Sequence, residues 1–129
     1  MKSALDPRHI KRINTFKSLF AGTFTEQPER PSRVDKINSN IEKIDAIIQK
    51  CAPEWPISQI NRVDLAVLRQ AVYELLFKTQ TPTKVIIDEA VEIAKRYGGK
   101  TSSSFVNGAL AAAINYTGRT ETENEPAKP

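Results

Sequence analysis

The chain is poor in the residue types that most often carry chemistry. Cys51 is its only cysteine and His9 its only histidine. No intramolecular disulfide can form, and no Cys/His zinc site can be assembled within one chain. Cys51 falls in an apolar-periodic stretch, where a thiol packs as a small hydrophobe. No phosphate-binding glycine loop occurs, and the serines have no histidine base in the spacing of a hydrolase. No apolar run approaches the roughly 20 residues of a membrane span. Lys2 and Asp6 have no continuous apolar stretch behind them, so a secretory leader is not expected and a cytoplasmic location is.

What remains is ordinary globular composition, 40% hydrophobic and 26% charged over 129 residues, enough for one modest core. The formal net charge of +4 is unevenly placed. Residues 1–24 hold Lys2, Arg8, Lys11, Arg12 and Lys17 against Asp6 alone, while the rest of the chain is balanced. A local excess of positive charge is the electrostatic footprint of an anionic partner, nucleic acid first.

Periodicity points to helices throughout. Asp6 can cap a first helix that opens with Pro7. On its wheel Ile10, Ile13, Phe16, Phe20 and Phe24 form an apolar stripe, opposite Arg8, Lys11 and Arg12. Residues 25–32 are polar with two prolines and read as a linker. Val34, Ile37, Ile41, Ile44 and Ile48 follow at spacings of 3 and 4, one strong helical stripe, ended by Pro53 and Pro56. A short extra turn fits residues 57–60. Asn61 is placed to cap a long, nearly all-round apolar helix reaching about Lys78, with Asp64 as its capping-box acid. Pro82 opens the next helix and Gly98–Gly99 closes it. The hydroxyl run Thr101–Ser104 caps a last helix through Phe105, Val106, Ala109, Leu110, Ala113 and Ile114. The expected fold is an all-α single-domain bundle of five to seven helices. Residues 1–6 are expected to be a flexible N-terminus, 7–116 the helical domain and 117–129 a disordered tail.

Three blocks resemble one bacterial family. RVDLAVLRQAVYELLF at 62–77, KVIIDEAVEIAKRYGG at 84–99 and FVNGAL at 105–110 are similar to the central helix, the next helix with its stop, and the opening of the last helix in the NusB transcription antitermination factors. RHIKR at 8–12 and LFA at 19–21 are similar to the family's basic first helix. The resemblance implies a compact NusB-type helical bundle that binds RNA and performs no catalysis. It implies a partnership with NusE, a small-subunit ribosomal protein, on boxA, a short single-stranded element of ribosomal RNA leaders. The complex helps RNA polymerase in the elongation complex pass terminators and supports rRNA maturation, and self-association occurs in some members. Two departures stand out. The segment at 25–33 is shorter than the family's, which puts one helix in doubt, and the N-terminal cluster has fewer arginines.

The candidate RNA contacts are Arg8, His9, Lys11 and Arg12 on the first helix, with Lys100, Ser102, Ser104 and Phe105 at the mouth of the last. The cations would hold phosphates, giving affinity and salt sensitivity but little sequence choice. Phe105 could stack an unpaired base or anchor the core beside Ala109. Ser104 stands where some relatives carry a lysine. The resemblance assigns Phe20 and Asp64 to the NusE-facing surface, although each also has a local explanation. Asn107 and Gly108, inside a helix, suggest a buried hydrogen bond and a close helix approach. Asp88 and Glu89 diverge by 100° on their helix and cannot form a carboxylate pair. Neither a cofactor nor a metal is expected. Two other functions compete: an RNA-targeting module for a separate rRNA-modifying enzyme, and a helical protein-interaction module without an RNA role.

Overall fold

The computed structural model describes residues 6–119, and those residues form six α-helices, two single 3-10 turns and no strand. The expectations for residues 1–5 and 120–129 lie outside the described residues. Helix α1 spans Pro7–Gly22, α2 Ser32–Ser39, α3 Ile41–Cys51, α4 Arg62–Phe77, α5 Thr83–Tyr97 and α6 Ser102–Ala113. The 3-10 turns are Ile57–Gln59 and Ile114–Tyr116.

Local chemistry sets most of the boundaries. The Asp6 side chain accepts from the Arg8 amide, and Pro7 supplies the preset φ of a first helical residue. Asn61 accepts from the amides of both Val63 and Asp64. At the other end of α4, the buried Arg119 guanidinium donates to the carbonyls of Leu75, Lys78 and Thr81. It satisfies acceptors that a helix end would otherwise leave open.

The stripe from Val34 to Ile48 is not one helix. It breaks at Asn40, where φ is −114° and ψ 17°. The Ser39 hydroxyl donates to the Asp35 carbonyl and the Asn40 amide group to that of Lys36. These side-chain bonds compete with continued helix. Because only one residue is interposed, the apolar spacing survives the break, and Val34, Ile37, Ile44 and Ile48 are all buried.

Helix α4 is the centre, packed against α1, α2, α3, α5 and α6. Leu65, Ala66, Val67, Leu68, Ala71, Val72, Tyr73 and Leu75 are buried around its circumference. Helix α1 runs antiparallel to α4. Its Arg12 meets Glu74 near the end of α4, whereas the Phe24 ring, just past the C-terminus of α1, lies 4.4 Å from Arg62 at the start. It runs parallel to α5, with His9 at Glu89 and the Phe16 ring tilted against that of Tyr97 at 5.3 Å.

The buried face of α1 is rotated from the one its aromatic stripe predicts. His9, Arg12, Thr15, Phe16 and Leu19 point inward, while Ile10 is 40% and Phe24 62% exposed. Glu74 and Glu89 on the neighbouring helices provide the reason, since they draw the basic side chains into the interface.

Candidate nucleic-acid interface

The basic residues of α1 separate into three environments. Arg8 is exposed and bonds Asp6 through both backbone and guanidinium. Lys11 is exposed beside Pro7, Ile10, Asn14 and Pro31, on the side of α1 that faces α2. Arg12 is 7% exposed, and the expectation that it faces solvent is corrected. Its Nε and Nη2 donate to Glu74, with distances down to 2.8 Å, and its Nη1 donates to Glu89 at 3.0 Å. Burial works against the guanidinium's charge, but the two carboxylates more than offset it and hold its pKa above the ordinary value. His9 is buried likewise, its Nδ1 3.2 Å from both Glu89 oxygens. From these positions both side chains are committed to buried carboxylates rather than open to solvent. They fix α1 onto α4 and α5.

Among the described residues, His9, Glu89 and Glu92 bring ligand atoms within 4.8 Å of one another. Glu89 is already held by Arg12 and His9. A dication there would stand beside a guanidinium, so the trio is a poor metal site. Asp88, adjacent in sequence, points outward to Lys84 at 2.9 Å. The two carboxylates diverge as expected. The thiol of half-buried Cys51 is pushed up to about 11 by burial, which suits packing rather than reactivity.

The second cluster lies at the opposite end of α4. At about 1.5 Å per residue, the 16 residues of that helix separate the two ends by roughly 24 Å. Here a cleft of about 250 Å³ is bordered by Trp55, Ile60, Asn61, Asp64, Thr101 and Phe105. Phe105 is half-buried: one side packs on the core and the other lines the cleft, so the ring anchors the core and still presents a face to the cleft. Lys100, Thr101 and Ser104 are exposed around it.

Ser102 is 3% exposed rather than an open cap position. Its hydroxyl accepts from the Gly99 amide at 2.9 Å and lies close enough to Asp64 to favour the charged carboxylate. The turn that delivers it needs glycine at 98, where a Cβ would stand 2.5 Å from the Ser102 Oγ and 2.6 Å from the Ala94 carbonyl oxygen. Asp64 is itself 7% exposed, and its Oδ1 has no hydrogen-bond partner among the described residues. Burial raises its pKa above the usual 3.8, only partly countered by Ser102. Asp64 and the Phe105 corner therefore share one site.

Phe20, the other expected partner contact, is half-buried between Phe16 and the exposed Phe24, 6.3 and 5.2 Å away. Asn107 and Gly108 correct their readings in the other direction. Both are exposed, and no atom lies within 4 Å of where a Gly108 Cβ would be.

A further group is not among the candidate contacts, although Lys17 counts in the basic N-terminal excess. Lys17 and Arg96, both exposed, lie 5.7 and 5.2 Å from the ring of Tyr97. Trp55, 49% exposed at the cleft, was likewise readable from sequence only as a residue between two prolines. No local periodicity marks these residues, because α1, α5 and the loops bring them together only in the fold.

Comparison with known proteins adds an independent line. A family model described as the NusB family matches residues 31–115, a stretch that leaves α1 outside. The chain is 42% identical over 100 residues to the transcription antitermination protein NusB of Lachnoclostridium phytofermentans, covering 78% of this chain and 76% of that one. It is 35% identical over 122 residues to the protein of the same name from Agathobacter rectalis, covering 78% and 93%. Among solved structures, T. maritima NusB is similar at a TM-score of 0.74 and 34% identity, over 89% of this chain and 93% of that chain.

Proposed function

The chain belongs to the NusB family, and from that premise we propose that it is a non-catalytic, RNA-binding transcription antitermination factor. In this reading it binds boxA-like single-stranded RNA of ribosomal RNA leaders together with a NusE-type ribosomal protein, and so joins the elongation complex and supports rRNA transcription and maturation. The observation that carries the RNA part is the cleft at the start of α6. An aromatic ring half-open to solvent stands beside an exposed lysine and hydroxyl at a helix N-terminus, the combination that stacks a base and holds its phosphate.

Phe105 stacks the base in this reading, while Lys100 and Ser104 take the backbone. Lys17 and Arg96 extend the phosphate track along α1 and α5 towards Arg8 and Lys11. At a stacked rise of about 3.4 Å, the length of α4 corresponds to roughly seven nucleotides. Asp64, at the border of the same cleft, faces the protein partner in this reading, with Phe20 as an apolar contact.

Filter binding of boxA-like RNA at two salt concentrations, with and without NusE-type protein, tests the reading. Binding should fall with salt, and Phe105→Ala should weaken it about 5- to 150-fold, the equivalent of about 1–3 kcal/mol for one stacked base. RNA retention that is absent or independent of salt, even with the partner added, overturns it in favour of a helical module that contacts only proteins.

A further inference from the structure

The fold assembles a cationic surface that no single stretch of sequence contains. Around the C-terminal end of α4 stand Lys11 of α1, Arg33 and Lys36 of α2, Lys43 of α3 and Lys78 at the α4 C-cap. The placement rests on several contacts. Lys11 borders the same shallow hollow as Pro31, two residues before Arg33. The Arg33 guanidinium lies 5.9 Å from the Tyr73 ring, and Lys43 lies 5.9 Å from that of Phe77. Those rings are themselves tilted together at 5.2 Å. Partial burial, then the charges of Arg33, Lys36 and Lys11, hold the Lys78 ammonium below the usual lysine range.

Two features separate this surface from an ordinary solvated face. Among the described residues, Lys11, Lys36, Lys43 and Lys78 have no ion-pair partner. Among the described residues, the acid within ion-pairing distance of Arg33 is Glu74 at 3.8 Å, and Arg12 already occupies it. The helix dipole accounts for a lysine after α4 and in the last turn of α2, but not for Lys43 in the first turn of α3, where a cation is disfavoured. Phe77, under Lys43 and next to Lys78, is 44% exposed.

Cations around an open aromatic ring form the pattern of a single-strand platform, with phosphates on the lysines and a base on the ring. We propose that Lys11, Arg33, Lys36, Lys43 and Lys78, gathered around Phe77, form a second RNA contact surface, separate from the Phe105 cleft. It is a sequence-tolerant platform for the nucleotides flanking the recognised element. The choice of RNA as occupant rests on the function proposed above, but the lysine geometry does not depend on boxA.

The probe is an unstructured oligouridine, titrated by filter binding over a salt series. With two phosphate contacts removed, Lys36→Ala/Lys78→Ala should flatten the log–log salt slope by about 1.4, at roughly 0.7 per single-strand phosphate. Phe77→Ala should lose about 5- to 150-fold in affinity. Exposed Lys50, next to Tyr116, is the control, and Lys50→Ala should leave both unchanged. The lysine pair keeps the test valid if Phe77→Ala lowers stability. An unaltered slope in the lysine variant overturns the platform, while a boxA signal still lost in Phe105→Ala leaves the first reading standing. Absence of any salt-dependent retention of oligouridine also overturns it. Equal competition by polyaspartate, with no effect of Phe77→Ala, would make this an acidic-protein surface and would count against RNA.

Discussion

The two ends of α4 bury carboxylates in opposite ways. At the C-terminal end, Glu74 and Glu89 are saturated, with the Arg12 guanidinium shared between them and His9 on Glu89. At the N-terminal end, Asp64 is also buried, yet only the nearby Ser102 hydroxyl favours its charge, and its Oδ1 has no partner among the described residues. A saturated buried charge specifies packing, because removing any member strands the others. A buried charge left half-satisfied at the rim of a cleft costs stability without organising the core, which is the expected pattern at a binding site. Length and composition do not distinguish these ends, but hydrogen-bond satisfaction does.

Arg12→Ala tests the architectural end and should have the largest effect. It leaves two buried carboxylates facing each other, with a loss of about 3–5 kcal/mol. For a domain of this size that corresponds to a fall of more than about 10 °C in melting temperature, read by circular dichroism. A variant that melts like the parent but binds RNA weakly would return Arg12 to the solvent-facing role its sequence position suggests, and the contrast between the ends would collapse.

Asp64→Asn should act in the other direction and more weakly. Because burial raises the Asp64 pKa in the folded protein, the folded state holds that proton more tightly than the unfolded chain does. Stability therefore falls as pH rises from about 3.8 through the raised value, and the penalty persists at neutral pH. The asparagine variant should melt slightly higher than the parent at pH 7, and the gap should close below pH 3.8. Binding to a NusE-type protein should weaken at the same time. Loss of stability at neutral pH would show that the carboxylate is structurally satisfied after all.

The sequence carried the fold further than the site. Caps at Asp6 and Asn61, prolines at 7 and 82, and glycines at 98 and 99 are local signals, and they set helix boundaries correctly because local hydrogen bonds do. The break at Asn40 was hidden because a one-residue interruption leaves the 3–4 spacing of isoleucines intact. The site depended on partners distant in sequence. Arg12 looks like its neighbours until Glu74 and Glu89, 62 and 77 residues away, are brought against it. Ser102 looks like an open cap until Asp64 comes within reach of its hydroxyl. Charge segregation marked α1 as the basic helix but not which of its cations stay in water. That depends on the rotation of α1, which the buried acids override.

Arg8 and Arg12 make the sharpest version of the contrast, since they are the same residue type one turn apart on one helix. Arg8→Ala should have the smallest effect on stability. Its side chain is 84% exposed, and the helix cap that involves this position runs from the backbone amide to Asp6 at 2.8 Å, which alanine retains. The melting temperature should not move measurably. RNA binding should keep its dependence on sequence while the salt slope becomes shallower by about 0.7, as expected for one phosphate contact on a single strand. A stability loss comparable to that of Arg12→Ala would mean that burial does not separate the two arginines, and neither would then serve as a specific probe of RNA contact.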